Sequence, residues 1–346
     1  MKAAQFPQVR QVRIADIPKP TLMGERDALL RMAAVGICGS DIHYYVDGRV
    51  GDQLVEFPYI PGHECAAIVE QVGPGVSTLK PGDRVAVEPT VSCGQCDQCL
   101  AGRENTCRNV KFLGMPGQLS GGLCEYITMP EKNCCQLPDS LTLVQGAFAE
   151  PLSIAIYTLD YLQTKRIASM AILGSGPIGL SVLLEAKVRG ISRIYATDKI
   201  DSRLAQADKA GAVWTGNPEK TDIVQSILKK ESLALDAVIE CCGDQQALDQ
   251  AVQLLKPGGI LLIVGIPSIR RISFDASAVR RKEIRIQNVR RQTDCLLRAV
   301  DRIATKQVEV DFMITHSATI QSTKELYDIA ADYRDGVVKA VVVFDV

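Results

Sequence analysis

The chain has 346 residues, and its 39 Lys and Arg against 40 Asp and Glu give a formal charge of -1. That length favours two domains over one, and the balanced charge leaves no overall field to draw the chain to nucleic acid or an anionic lipid surface; neither partner is expected. Hydrophobic residues at 47% and charged residues at 23% are those of a folded chain and exclude a disordered one.

The opening segment, MKAAQFPQVRQVRIADI, lacks the apolar core of a signal peptide. The apolar runs at 259–266 and 340–344 are shorter than the roughly 18 residues a membrane helix needs. A cytoplasmic protein is expected. Short apolar or alternating runs at 28–35, 66–72, 84–87 and 125–129, separated by Gly73-Pro74-Gly75 and Pro81-Gly82-Asp83, predict strands. From about Glu150 the texture changes. A helix at 151–162, a strand at 170–173, a glycine-rich turn, a helix to about Arg189 and a strand at 193–197 make a βαβ unit. A helix at 202–210, a strand at 237–240, a helix at 245–255 and a strand at 259–264 continue it, predicting a parallel sheet covered on both faces. Beyond about Asn288 the chain reads as helical again, and 340–344 reads as a strand expected to return to the first domain.

Gly174-Ser175-Gly176-Pro177-Ile178-Gly179 follows a predicted strand and opens a predicted helix, the context a dinucleotide fingerprint requires. The first glycine permits the tight turn, the second admits a pyrophosphate, and the third lets helix and strand pack closely. Pro177 suits the first helical turn. Asp198, 19 positions after Gly179, stands where a carboxylate accepts from the adenosine ribose hydroxyls and repels a 2′-phosphate, so NAD is expected over NADP. Lys199 and Arg203 join the cofactor-binding set as nearby cations that would accommodate phosphate. The plain alternative is a tight turn with Asp198 as a strand-end cap.

Twelve cysteines in a long chain, unevenly clustered, fit metal binding better than disulfides. Cys93, Cys96, Cys99 and Cys107 supply four soft thiolates on one loop, suited to a closed tetrahedral zinc site that holds the loop and does no chemistry. Cys38, His63, Glu64 and Glu150 are more dispersed. A thiolate, an imidazole and a carboxylate make the three-ligand pattern of a catalytic zinc with one position open; singly, each also reads as a buried thiol, a core histidine or a solvated charge. Cys65, Cys124, Cys134, Cys135, Cys241, Cys242 and Cys295 read mostly as reduced packing residues.

These residues resemble those of the zinc-dependent medium-chain alcohol and polyol dehydrogenases. Gly62-His63-Glu64, Leu79-Lys80-Pro81-Gly82-Asp83-Arg84-Val85, the four-cysteine loop and Gly174 to Gly179 follow the family's order and spacing over nearly the whole chain. Cys38-Gly39-Ser40-Asp41-Ile42-His43-Tyr44-Tyr45, Asp47-Gly48-Arg49-Val50-Gly51-Asp52 and Glu150-Pro151-Leu152-Ser153 look most like sorbitol and xylitol dehydrogenases.

The resemblance implies an α/β fold: a GroES-like β-rich catalytic domain plus a Rossmann doubly wound parallel-sheet domain. The expected boundaries are 1–150 for the first, with a structural zinc lobe at 93–107, 151–288 for the NAD-binding domain, and 289–346 completing the first. It implies two zinc ions per chain, one catalytic and one structural. Cys38, His63 and Glu64 carry over as catalytic ligands, with Glu150 either binding the metal or holding its water. Cys38 and Glu64 as anions with neutral His63 neutralise Zn²⁺, whereas direct ligation by Glu150 would leave -1 and a weaker Lewis acid; the water-holding role is favoured. Ser40 and His43 are the candidates for carrying the proton to solvent, with Glu150 as the other route, and Tyr44, Phe112 and Arg291 for lining the substrate pocket. Arg290-Arg291-Gln292 departs from the Phe-Arg-Tyr stretch usual in sorbitol dehydrogenases, which bears on chain length and stereochemistry. The implied activity is oxidation of a polyol's secondary hydroxyl to a ketose with NAD⁺, by a homo-oligomer, tetramer favoured over dimer. Alternatives are a dehydrogenase for L-threonine, butanediol or a cyclic polyol, and a non-enzymatic zinc and nucleotide-binding protein.

Overall fold

Long-range strand pairing builds the first half of the molecule. In the computed structural model, which describes residues 1–22, 24–162, 167–267 and 269–345, the chain divides into two units, Met1–Ser153 with Thr293–Val346, and Ile154–Gln292. The first centres on a seven-stranded sheet. Its middle strand, Asp27–Gly36, pairs antiparallel with Glu64–Val72 on one side, and on the other with Tyr126–Pro130 at one end and Lys339–Val343 at the other. Arg84–Val87 and Cys134–Gln136 extend one edge, and Ile314–Thr319 extends the other, parallel to Lys339–Val343. Small and larger apolar residues such as Leu30, Met32, Ala67, Val69 and Val342 are buried in one core.

The second unit is a six-stranded parallel sheet in the order Trp214–Gly216, Arg193–Thr197, Ser169–Leu173, Leu235–Glu240, Leu255–Ile263, Arg285–Asn288. Strands buried on both faces carry near-continuous apolar runs, as in the fully buried Ser169–Leu173. The order reverses between Ser169–Leu173 and Leu235–Glu240, the switch point at which doubly wound sheets bind ligands.

Three expectations change. The helix expected from Pro151 runs Leu143–Asp160 with that proline inside it. Its first half is held by burial of Ala147, Phe148 and Ala149, which outweighs the hydrogen bond lost at the proline. The segment after Asn288 is not uniformly helical: helices Leu296–Ala304 and Thr323–Ala331 flank the strand Ile314–Thr319. That strand alternates half-buried and exposed residues at the sheet's edge, a weak apolar signal. Leu255 begins a strand instead of ending a helix. No described helix is long and apolar enough to cross a membrane.

Candidate functional site

Two neighbouring strands and the helix that follows one of them bring the donor atoms together. The strand Asp27–Gly36 gives way to the helix Gly39–Asp47, with Cys38 at its N-cap. Asp41 returns its Oδ2 to accept the Cys38 N–H at 3.1 Å, the backward half of a capping box. Cys38 therefore sits at a helix start. His63 follows Gly62, whose φ of +100° suits glycine, and Glu64 opens the strand Glu64–Val72 directly opposite Gly36. A Cβ on residue 36 would collide with the Glu64 Oε2, so glycine there makes room for the carboxylate. The Cys38 thiol, a His63 ring nitrogen and a Glu64 oxygen lie within 4.8 Å of one another. His63 Nδ1 is buried without a hydrogen-bond partner, and the S, N, O donor set suits zinc with one position open.

Two residues given no role from the sequence complete the cluster. Asp41, fully buried, accepts the Gly62 N–H through Oδ1 at 3.3 Å and holds that oxygen 3.7 Å from His63 Nδ1, an ion-pair distance too long for a hydrogen bond. Burial opposes protonation of His63, but the facing Asp41 and Cys38 outweigh it and hold its pKa well above the ordinary value. A metal ion binding there displaces a proton. Lys339, also buried, donates to both Glu64 oxygens at 2.7 Å. Burial works against its charge, and Glu64 and Cys38 restore it, with a net upward shift. The signals were available: Asp41 is an acid three residues beyond an N-cap, and Lys339 is a lone cation in an apolar strand.

Glu150 lies on the helix Leu143–Asp160 and stands outside the 4.8 Å donor set. Burial pushes its carboxyl up to about 8, with His63 and Lys339 pulling down and Glu64 and Glu88 pushing up. Ser40 and His43 share the helix that Cys38 caps. His43 is partly exposed, with Nδ1 3.3 Å from Asp47 Oδ2. The Phe112 ring centre is 5.2 Å from that of His63. Tyr44 is buried, edge-on to Tyr59 at 5.6 Å, with its hydroxyl 3.5 Å from Gln53 Oε1. Arg291 belongs to the second unit and has φ +55°.

The four loop cysteines also converge within 4.8 Å. Their sulfurs are 3.5 Å (Cys96 to Cys99), 3.8 Å (Cys96 to Cys107) and 4.0 Å (Cys93 to Cys99) apart. A tetrahedron with Zn–S bonds of about 2.3 Å has edges of about 3.8 Å, so these thiols fit zinc. Backbone N–H groups of Arg108 and Cys99 pull Cys96 down to about 6, favouring the thiolate a metal needs.

In the second unit Gly174 turns with φ +102°, where a Cβ would press on Cys241 and Cys242 at the switch point. A Cβ on Gly179 would strike the Gly174 carbonyl oxygen. Gly176 is open except for the Arg203 guanidinium, 3.5 Å from its Cβ position. Pro177 begins the helix Pro177–Val188, followed by half-buried Ile178. Asp198 accepts the Ser175 and Ile200 N–H groups at 2.8 and 2.9 Å, and Lys199 pairs with Asp244 at 3.0 Å.

Two family models match the chain, the alcohol dehydrogenase GroES-like domain over 24–139 and the zinc-binding dehydrogenase over 177–330. A sorbitol dehydrogenase of Bacillus subtilis is 34% identical, over 99% of this chain and 97% of its own. A zinc-binding dehydrogenase of Sinorhizobium meliloti bound to NADP is 30% identical with a TM-score of 0.90, covering 99% of each chain. An Escherichia coli alcohol dehydrogenase complexed with NADH is 26% identical with a TM-score of 0.90, again covering 99% of each.

Proposed function

The chain belongs to the zinc-dependent medium-chain alcohol and polyol dehydrogenases, and from that premise we propose that it oxidises a secondary hydroxyl of a sorbitol- or xylitol-like polyol to the ketose with NAD⁺. The observation that carries the reading is the buried trio of one thiol, one imidazole and one carboxylate, Cys38, His63 and Glu64. When bound, a zinc ion supplies the Lewis acidity that eases loss of a hydroxyl proton, and NAD⁺ supplies the hydride acceptor.

The chain's own groups do the rest. Asp41 places a carboxylate beside the His63 ring. Glu150, with its pKa near 8, is poised to take or return a proton close to neutral pH. Its support role, holding water without ligating the metal, fits its place outside the donor trio. Ser40 and His43, one turn apart on a single helix, are the route by which a proton reaches solvent. Phe112 covers one side of His63 and keeps water from it. Tyr44 and Arg291 are assigned to the substrate wall by the resemblance. The second metal is assigned to Cys93, Cys96, Cys99 and Cys107, making two zinc ions per chain.

NAD is preferred in this reading because Asp198 is pinned beside the glycine turn and Lys199 is already paired with Asp244. Arg203 lies over Gly176, a position for pyrophosphate. Residues 1–150 and 289–346 are assigned to catalysis and 151–288 to NAD binding. A cytoplasmic homo-oligomer, tetramer favoured, accompanies the reading on the strength of the resemblance; sedimentation velocity checks the oligomer.

The test is NADH formation with sorbitol, xylitol, ribitol, galactitol, L-threonine and butanediol, with zinc per chain measured on the same preparation. The expected result is preferential polyol turnover by a two-zinc protein. Turnover of only L-threonine or butanediol overturns the polyol assignment, and absence of zinc overturns both metal sites.

A further inference from the structure

The Glu64 carboxylate is claimed from two sides. On one side lie Cys38 and His63, with the three donors within 4.8 Å. On the other lies Lys339, whose Nζ is 2.7 Å from Oε1, 2.7 Å from Oε2 and 2.9 Å from the Ile37 carbonyl oxygen. These acceptors account for all three N–H bonds of an ammonium group. Lys339 is only 2% exposed; it follows buried Val337 and Val338 and opens the strand that continues through Ala340, Val341 and Val342, otherwise built for a core. The desolvation cost of a buried ammonium is large, so its place needs a reason. The strand register supplies the means: Val341 pairs with Gly36, and Gly36 with Glu64, which brings the lysine beneath the carboxylate.

We propose that Lys339 is a positioning residue that shares Glu64 with the catalytic metal, making the carboxylate a weakened donor and leaving the ion more electrophilic. The inference rests on the reading of Cys38, His63 and Glu64 as ligands. An ionised carboxylate offers about four lone-pair sites; both Glu64 oxygens face the ammonium, so a metal takes what remains. Charge counting gives the consequence. Cys38, His63 and Glu64 alone sum to -2 and neutralise Zn²⁺, whereas with Lys339 the group sums to -1 and the ion keeps a net positive charge. Because lysine and metal compete for one group, linkage fixes the signs: deleting the lysine should destabilise the metal-free protein and tighten metal binding. A lysine that merely supports the site predicts the reverse, since losing such a partner costs about 10–100-fold in metal affinity.

The experiment measures zinc affinity of the full chain by chelator competition, with the four-cysteine site as internal reference, and the visible spectrum of the cobalt-substituted protein. Lys339→Met should tighten the catalytic-site zinc by about tenfold, opposite in sign to the loss expected of a supporting contact. It should alter the cobalt bands and lower the melting temperature of the metal-free protein. Lys339→Arg should restore both affinity and spectrum toward wild type. If Lys339→Met fails to fold, Lys339→Gln, which removes the charge but keeps a hydrogen-bond donor, should tighten the zinc in the same way; in the Glu64→Gln, Lys339→Met double variant both charges are gone, and the gain from removing the lysine should be smaller than in the wild-type background. Weaker zinc binding in Lys339→Met, or an equal shift with and without Glu64, overturns the proposal. Cys38→Ser keeps the two failures distinct: undiminished zinc there overturns the ligand reading, whereas loss of that zinc without tightening in Lys339→Met overturns only the sharing.

Discussion

The Asp198 carboxylate has both oxygens engaged by backbone N–H groups, from Ser175 at 2.8 Å and Ile200 at 2.9 Å. The anion is thereby fixed one residue beyond the strand Arg193–Thr197 and beside the glycine turn. A 2′-phosphate placed there meets a like charge it cannot push aside, and such juxtaposition costs several kcal/mol. Wild-type kcat/KM should therefore favour NAD⁺ over NADP⁺ by about a hundredfold, and Asp198→Ala should narrow that ratio mainly through the NADP⁺ KM. A wild-type preference for NADP⁺ would reject this use of Asp198. Legibility at this scale follows sequence distance. Asp198, the glycines and the four-cysteine run announce themselves through short spacings, as does Gly62-His63-Glu64. Lys339 meets Glu64 across 275 positions, and no local pattern encodes a contact that long.

Between residues and units, the short hairpin formed by Thr90–Val91 and Lys111–Phe112 links the two candidate metal centres of the first unit. Cys93 follows its first strand closely, Cys107 precedes its second, and Phe112 at its end lies against His63. The closure entropy of such a loop rises only slowly with its length, and the four converging sulfurs are placed to order its interior when a metal binds them. Cys99→Ser should remove one zinc per chain and lower the melting temperature by several degrees, read by metal analysis and calorimetry on the same sample. Unchanged metal content would contradict the four-thiolate site. Elements were legible where periodicity and burial agree, as in the strands Arg84–Val87 and Arg193–Thr197, which match the expected bounds. They were not where tertiary burial overrides local rules: Pro151 lies inside its helix, and Ile314–Thr319 hides in a polar-looking edge.

On the scale of the whole chain, each unit buries its own apolar cluster, one around Leu30, Met32 and Val342 and the other around Leu173, Val238 and Leu261. The metal donors lie in the first unit and the glycine turn in the second. The alternation of strands and helices made the parallel sheet readable, because consecutive elements there are also neighbours in space. The first unit was less readable: Lys339–Val343 finds its partner in Asp27–Gly36, and an apolar strand does not name the sheet it joins. Separate cores mean that a substitution in the first unit leaves the apolar packing of the second intact. His63→Ala should therefore cut turnover by about a hundredfold or more, as loss of charge stabilisation at a reacting centre does. NADH affinity, measured by fluorescence titration, should stay within about twofold of wild type. Full turnover in zinc-depleted His63→Ala would remove the metal from the chemistry. Loss of NADH binding in that variant would show the two units to be energetically joined, because a substitution confined to one core would then be felt at a turn built wholly by the other.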